Sequence, residues 1–280
     1  MKKWYQGDVL ANGIRVHYYR TGGDGPPVVL CHGFTDNALC WAPLARVLEA
    51  EYDVIMIDAR YHGLSEAPRE TPDRAADMAA DLIGVIDALH LDRPVAAGHS
   101  MGASTVFLAA ADYPGRFRAI ALEDPVWRDV ASQNSDSERE ARRQEWVRAE
   151  RARYAAYRTT SLDELAADCQ VRKPDWDASF CRIMMEAKQQ LNPNVFGGSI
   201  IDQRPWREVL AAIDCPILLV TGNPEKGAIV TDAVYADAAA IKPALKRVHV
   251  PEVGHTIRFD APGAYAAAIQ AYLGAVYSST

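Results

Sequence analysis

Short apolar runs alternate along most of this chain with segments whose apolar residues recur at helical spacing. "IRVHYY" and "PPVVLCHG" read as strands, the second ended by Gly33. Residues 37–50 have helical spacing, and "YDVIMIDAR" is a β-branched run of the kind buried on both faces of a parallel sheet. Residues 71–91 are helical again, "RPVAAGHS" is a strand, "MGASTVFLAAADYP" opens a helix that stops near Pro114, and "RAIALED" is the next strand. Alternation at these intervals predicts right-handed βαβ crossovers: an α/β fold with a mostly parallel central sheet flanked by helices.

The pattern breaks after Val126. From there to about Arg207 no apolar strand run occurs, and "SEREARRQEWVRAERARYAAYR" and "DASFCRIMMEAKQQL" read as helices, with Pro174, Pro193 and "FGG" as punctuation. The mixed charges of residues 136–158 read as a solvated helix face. Alternation then resumes with "CPILLVTG", a helix from about Thr231, the strand "KRVHVPEV" and a last helix from about Ala261. The economical division is a core of residues 1–126 and 207–280 with a helical insertion over 127–206.

Composition narrows the function classes. With 280 residues, 49% of them hydrophobic, the chain can bury a sizeable core, which excludes intrinsic disorder. A net charge of −7 without a Lys/Arg-dense stripe lacks the electrostatic footprint of a nucleic-acid binder. The five cysteines Cys31, Cys40, Cys169, Cys181 and Cys215 are widely spaced and form neither CxxC nor a zinc-like pattern, so a reducing compartment fits them. "MKKWYQGDVLANG" has no apolar signal core, and no run approaches the roughly 18 apolar residues of a membrane helix. A soluble, cytoplasmic protein without membrane contact is expected. There is no metal-ligand cluster and no phosphate-cradling glycine loop, so no metal or organic cofactor is expected.

The chemistry concentrates in "AGHSMG". The glycines Gly98 and Gly102 bracket Ser100 where a strand turns into a helix, a turn that lifts a hydroxyl clear of the sheet beside free helical N–H groups. Serine needs a base within hydrogen-bond reach. His255 in "PEVGHTIRF" follows the last strand and reaches the same sheet edge as Ser100, whereas the His99 side chain is expected to point away from the nucleophile.

With "HGF" after one strand, "DARYHGLS" after the next, "GHSMG" after the third and "GH" after the last, the chain resembles the α/β-hydrolase superfamily over nearly its whole length. The resemblance implies an oxyanion hole from the backbone N–H groups of Phe34 and Met101, and a cap formed by the insertion. It also marks a departure, because Tyr61 stands where glycine is usual. Asp58 and Arg60 beside it read as structural.

The triad acid has three candidates. The usual position, after the strand that follows the insertion, offers Glu225. The end of the strand before the insertion offers Asp124, 24 residues after Ser100, or its neighbour Glu123. Asp124 is preferred, since its spacing resembles many haloalkane dehalogenases and zearalenone lactonases. Dehalogenation itself needs an aspartate nucleophile, which Ser100 is not.

The reading that follows is a serine carboxylesterase acting on small apolar esters through an acyl-enzyme. Lactonase, carbon–carbon bond hydrolase and cofactor-free haloperoxidase action, or a non-catalytic small-molecule receptor on the same scaffold, stay open. Trp127 and Trp206, at the two ends of the insertion, are the candidate substrate-binding aromatics. The partner expected is a small-molecule ester or lactone.

Overall fold

Asn12 and Gly13, with φ of 48° and 78°, fold the chain back on itself between β1 (Tyr5–Ala11) and β2 (Ile14–Arg20), which pair antiparallel. Positive φ at both central residues suits the twist of a two-residue hairpin, and Asn-Gly reaches it at little steric cost. β1 is mostly exposed, so it carries no apolar run; the Asn-Gly pair is its clearest mark in the sequence.

The computed structural model describes residues 4–68, 74–127, 136–200 and 202–278. After the hairpin come β3 (Pro27–Cys31), α1 (Ala42–Leu48), β4 (Asp53–Ile57), α2 (Arg74–Ala88), β5 (Val95–His99), α3 (Met101–Asp112) and β6 (Ala119–Glu123). The helix expected over 37–50 is split into a 3-10 turn, Ala38–Trp41, and α1, with Pro43 in the first turn of α1 where a missing N–H costs nothing. The expected start of α2 at Thr71 lies outside the described residues.

Between β6 and β7 lie α4 (Asp136–Thr159), α5 (Leu162–Arg172), α6 (Ala178–Gln190) and α7 (Trp206–Ala212). α5 was not anticipated, although Ser161 and Glu164 form a reciprocal capping box at its start. The chain closes with β7 (Ile217–Thr221), α8 (Asp232–Ile241), β8 (Lys246–His249), α9 (Ile257–Asp260) and α10 (Pro262–Ser278). No helix among the described residues is long and apolar enough to cross a membrane.

The eight strands form one sheet in the order β1-β2-β4-β3-β5-β6-β7-β8, parallel from β4 to β8. Successive strand residues feed opposite cores. Val29, Ala96, Ile120 and Leu219 pack under α2, α3 and α7, while Val28, Val95, Ala119 and Leu218 pack under α1 and α10. Burial on both faces is why these strands read as unbroken apolar runs. A parallel sheet also brings all its C-terminal ends to one edge, so the loops after β3, β5, β6, β7 and β8 converge there.

The insertion packs on that edge. Leu165, Met184 and Met185 form a core with Cys40 and Phe259 from the sheet loops, and Tyr154, Leu191 and Phe196 form another with Tyr61. Trp127 and Trp206 correct the expectation of substrate-binding aromatics. They are 2% and 6% exposed, stack at 5.1 Å with 7° between planes, and pack with Phe107 in the core beneath α3. They pin together the points where the insertion leaves and rejoins the sheet.

The cysteines also depart from expectation. α5 and α6 lie side by side, and Cys169 and Cys181 are joined by a disulfide with their Cα atoms 5.7 Å apart, while Cys31, Cys40 and Cys215 are free. Thiol titration of the unreduced protein in denaturant is therefore expected to find three thiols. Five would show that the bridge is open in the protein as isolated.

Candidate active site

Ser100 sits between β5 and α3 with φ 50° and ψ −110°. A non-glycine residue held there stores on the order of 1–3 kcal/mol of backbone strain. Its surroundings enforce it. A Cβ on Gly98 would lie 2.3 Å from the Gly102 carbonyl oxygen, and one on Gly102 would lie 2.1 Å from that of Cys31. Both glycines are thus required for helix α3 to start this close to β3 and β5. The Ser100 N–H donates to the Glu123 carbonyl at 3.0 Å, which ties the turn to the end of β6.

One residue further along β6, Asp124 is fully buried with φ 43°. Its carboxylate accepts three hydrogen bonds: from Ile229 N at 2.8 Å, from Val230 N at 2.9 Å, and from His255 Nδ1 at 2.6 Å. The His255 side chain is 30% exposed and that of Asp124 is 0% exposed. The imidazole is therefore anchored at its inner nitrogen and open at its outer one.

Glu225 is on the same loop as Ile229 and Val230 but is exposed, in a 3-10 turn capped by Asn223. Backbone N–H groups of that loop serve Asp124, while the Glu225 side chain does not reach it. Glu123 is buried on the other side of the strand, where Arg258 binds it at 2.9 Å through N–H and at 3.2 Å through Nη1. Of the three candidate acids, Asp124 alone contacts His255 among the described residues.

His99 turns toward the His255 loop. Its Nε2 donates to the His255 carbonyl at 3.0 Å, and the two rings lie 4.6 Å apart. A carbonyl only accepts, so Nε2 carries the proton and Nδ1 is bare. This contact brings the His255 loop beside Ser100. Among the described residues, no hydrogen bond joins the Ser100 hydroxyl to the His255 ring.

The loop after β3 completes the cluster. Phe34 follows Gly33, whose own Cβ would strike His99 Nδ1 at 2.4 Å, and its ring meets those of His62 and Phe196 edge-on at 5.9 and 5.7 Å. Met101 opens α3 and is buried. Thr35 has φ 72° and donates its N–H to His62 Nε2 at 3.3 Å. His62 Nδ1 is then the protonated nitrogen, facing the Arg60 carbonyl at 2.9 Å. Burial drives His62 down to about 3 and lowers His32 and His99 as well, so all three are neutral scaffolding.

"DARYHGLS" has structural tasks. Asp58 accepts from Ala38 N at 2.7 Å and Leu64 N at 2.9 Å, and Arg60 pairs with Asp77 and Asp81 of α2, both at 2.7 Å. Tyr61, with φ 68°, accepts from Asn192 N at 2.8 Å and lies 4.7 Å beneath the Arg74 guanidinium. The residue that replaces the usual glycine is thus a buried anchor for the insertion. No feature of the sequence indicated that contact.

An open cavity of about 680 Å³ starts at Phe34 and runs along the insertion past Trp146, Val195, Phe196 and Ile200, with Arg143 and Gln203 on its wall. Apolar lining with a few polar groups is the usual make-up of a small-molecule site.

Residues 26–262 match the α/β-hydrolase fold family. The chain is 39% identical over 121 residues to N-formylmaleamate deformylase of Pseudomonas putida, covering 43% of this chain and 45% of that protein. It is 29% identical over 257 residues to 2-(acetamidomethylene)succinate hydrolase of Mesorhizobium japonicum, covering 87% and 86%. The structure of an N-formylmaleamic acid deformylase from Pseudomonas putida superimposes with a TM-score of 0.75 at 25% identity, over 95% of this chain and 100% of that one.

The buried neutral histidines carry a pH dependence. Unfolding returns His62 from about 3 to its ordinary value of 6.5, so the unfolded chain binds a proton in that interval and the folded chain does not. Its contribution is fully present above 6.5 and is lost as pH falls below it. In His62→Gln, unfolding free energy should fall less steeply with acidification, by about 1.4 kcal/mol per pH unit between roughly pH 6 and 4. An unchanged slope in denaturant titrations contradicts the neutral assignment.

Proposed function

Because the chain belongs to the α/β-hydrolase family, we propose that it is a serine hydrolase with Ser100 as nucleophile, His255 as base and Asp124 as the acid that orients it. The observation that carries this reading is the 2.6 Å contact between buried Asp124 and the inner nitrogen of His255, at the sheet edge where Ser100 is held in a strained turn. His255 Nε2 takes the hydroxyl proton as Ser100 Oγ attacks a carbonyl carbon. The tetrahedral oxygen then draws on the N–H groups of Phe34 and Met101 and on the positive end of α3. Proton return from His255 expels the leaving group, and a water activated by the same nitrogen releases the acyl group. In this reading the Ser100–His255 hydrogen bond forms when substrate binds, since catalytic hydrogen bonds are often long or misaligned in unliganded enzymes.

In this account residues 127–206 form a cap over the core of residues 1–126 and 207–280. The substrate class is a small carboxylic ester whose apolar part lies against Trp146, Phe196 and Ile200. A second reading is acyl–nitrogen cleavage in a substrate bearing a carboxylate. It is favoured by Arg143 on the cavity wall and by the two relatives, whose names denote deformylation of N-formylmaleamate and hydrolysis of an acetamidomethylene succinate.

Hydrolysis of short-chain nitrophenyl esters and of N-formyl or N-acetyl enamide acids by the wild type separates the two readings by kcat/KM. Ser100→Ala should abolish both activities. Asp124→Asn should lower kcat on the order of 10⁴-fold, as removal of a triad acid does, while Glu225→Gln keeps turnover near wild type. The reverse order would move the acid to Glu225. Turnover surviving Ser100→Ala would overturn the serine mechanism.

A further inference from the structure

The strongest unexplained feature next to the site is a buried chain of four charges. Lys188 Nζ, from α6 of the insertion, donates to the Thr35 carbonyl at 2.9 Å, to Thr35 Oγ1 at 2.8 Å and to Asp36 Oδ1 at 3.2 Å. The other Asp36 oxygen accepts from Arg258 Nη2 at 2.7 Å, and Arg258 in turn holds Glu123. Two residues further along α6, Gln190 Oε1 accepts from Asn37 Nδ2 at 2.9 Å. One helix of the insertion therefore grips three consecutive residues of the loop that begins at Phe34.

The four charges sum to zero, and each touches a segment that carries the proposed chemistry. Asp36 is two residues from Phe34, Glu123 is next to Asp124, and Arg258 is three residues from His255. The ammonium group has three N–H donors, and all three have acceptors here. Burial opposes the charge on Lys188, but Asp36 and Tyr154 outweigh it and the group stays protonated. Two of the three acceptors belong to Thr35, whose left-handed backbone is costly for a β-branched residue and needs outside restraint. Thr35 is joined directly to Phe34, whose N–H lies in the peptide before the one they share, so the conformation held at Thr35 limits how the Phe34 N–H is directed.

We propose that Lys188 is a positioning residue that, from the insertion, holds Thr35 in its left-handed conformation and through it directs the neighbouring Phe34 N–H, so that seating of α6 on the sheet edge and formation of the oxyanion hole are one event. This inference rests on the serine hydrolase reading above. Lys188 touches neither the substrate nor a reacting atom in this role. It makes the geometry of the hole depend on the insertion that also shapes the cavity.

The test is the second-order rate constant for labelling by a fluorophosphonate, measured with melting temperature for wild type, Ser100→Ala, Lys188→Met, the double variant Asp36→Asn/Lys188→Met, and Lys173→Met as an exposed control. Misalignment of an oxyanion donor should slow Lys188→Met by about 10- to 100-fold, with Lys173→Met unaffected. Lys188→Met also leaves the cluster of Asp36, Arg258 and Glu123 with one uncompensated negative charge. The double variant removes that charge, so it should recover melting temperature while its labelling stays slow, and it decides the matter alone if Lys188→Met does not fold. Labelling of Lys188→Met at the wild-type rate overturns the proposal. So does a double variant in which the rate recovers together with stability, since Lys188 would then only balance a charge. Wild type that is not labelled, or labelling that persists in Ser100→Ala, removes the hydrolase reading and this proposal with it.

Discussion

A carboxylate shut away from water must have its oxygens taken up by donors, and the way Asp124 meets that demand organises the site. Two backbone N–H groups and an imidazole take the place of the lost water. Those three donors come from two different loops. Satisfying one buried group therefore fixes the loop after β7 and the His255 loop relative to the end of β6. Ser100, tied to β6 through the Glu123 carbonyl, joins the same frame.

The loops are further locked by close backbone approach. A Cβ on Gly222 would lie 2.0 Å from the Gly254 carbonyl oxygen, so the loops after β7 and β8 pack without side chains between them. Around this frame runs the neutral chain of Lys188, Asp36, Arg258 and Glu123. Buried ion pairs contribute little net stability against an apolar alternative but are strongly directional, and breaking one partner leaves an uncompensated charge. Here they join the loop after β3, the end of β6, the segment after His255 and the insertion. Neutral His32, His62 and His99 fill the space between with single, fixed tautomers.

Much of this was legible in the chain, for definite reasons. Strands buried on both faces announce themselves as apolar runs, and the turn around Ser100 is dictated by glycines that no other residue can replace. The hairpin strand β1 escaped because it is largely solvated, and α5 because its apolar positions are few, although "NG" and the Ser161/Glu164 pair mark their ends. Glu225 and Asp124 could not be ranked decisively from spacing, because what separates them is which loop folds its backbone inward. Trp127 and Trp206 looked available for a ligand, yet they meet each other across 79 residues of sequence. The roles of Tyr61, Lys188 and Arg258 depend on contacts between distant segments, and a cation or an aromatic side chain in a helix or loop carries no local sign of such a partner. The Cys169–Cys181 bridge was hidden for the same reason, since it depends on two helices lying side by side.

In the proposed mechanism Ser100, His255, Asp124 and the N–H groups of Phe34 and Met101 act on one carbonyl. A crystal structure of the protein after reaction with a small alkyl fluorophosphonate tests it most directly. Phosphorus is expected on Ser100 Oγ, with the phosphoryl oxygen about 2.7–3.1 Å from both Phe34 N and Met101 N and His255 still held by Asp124. An adduct on another residue, or a phosphoryl oxygen directed away from those two N–H groups, would contradict it.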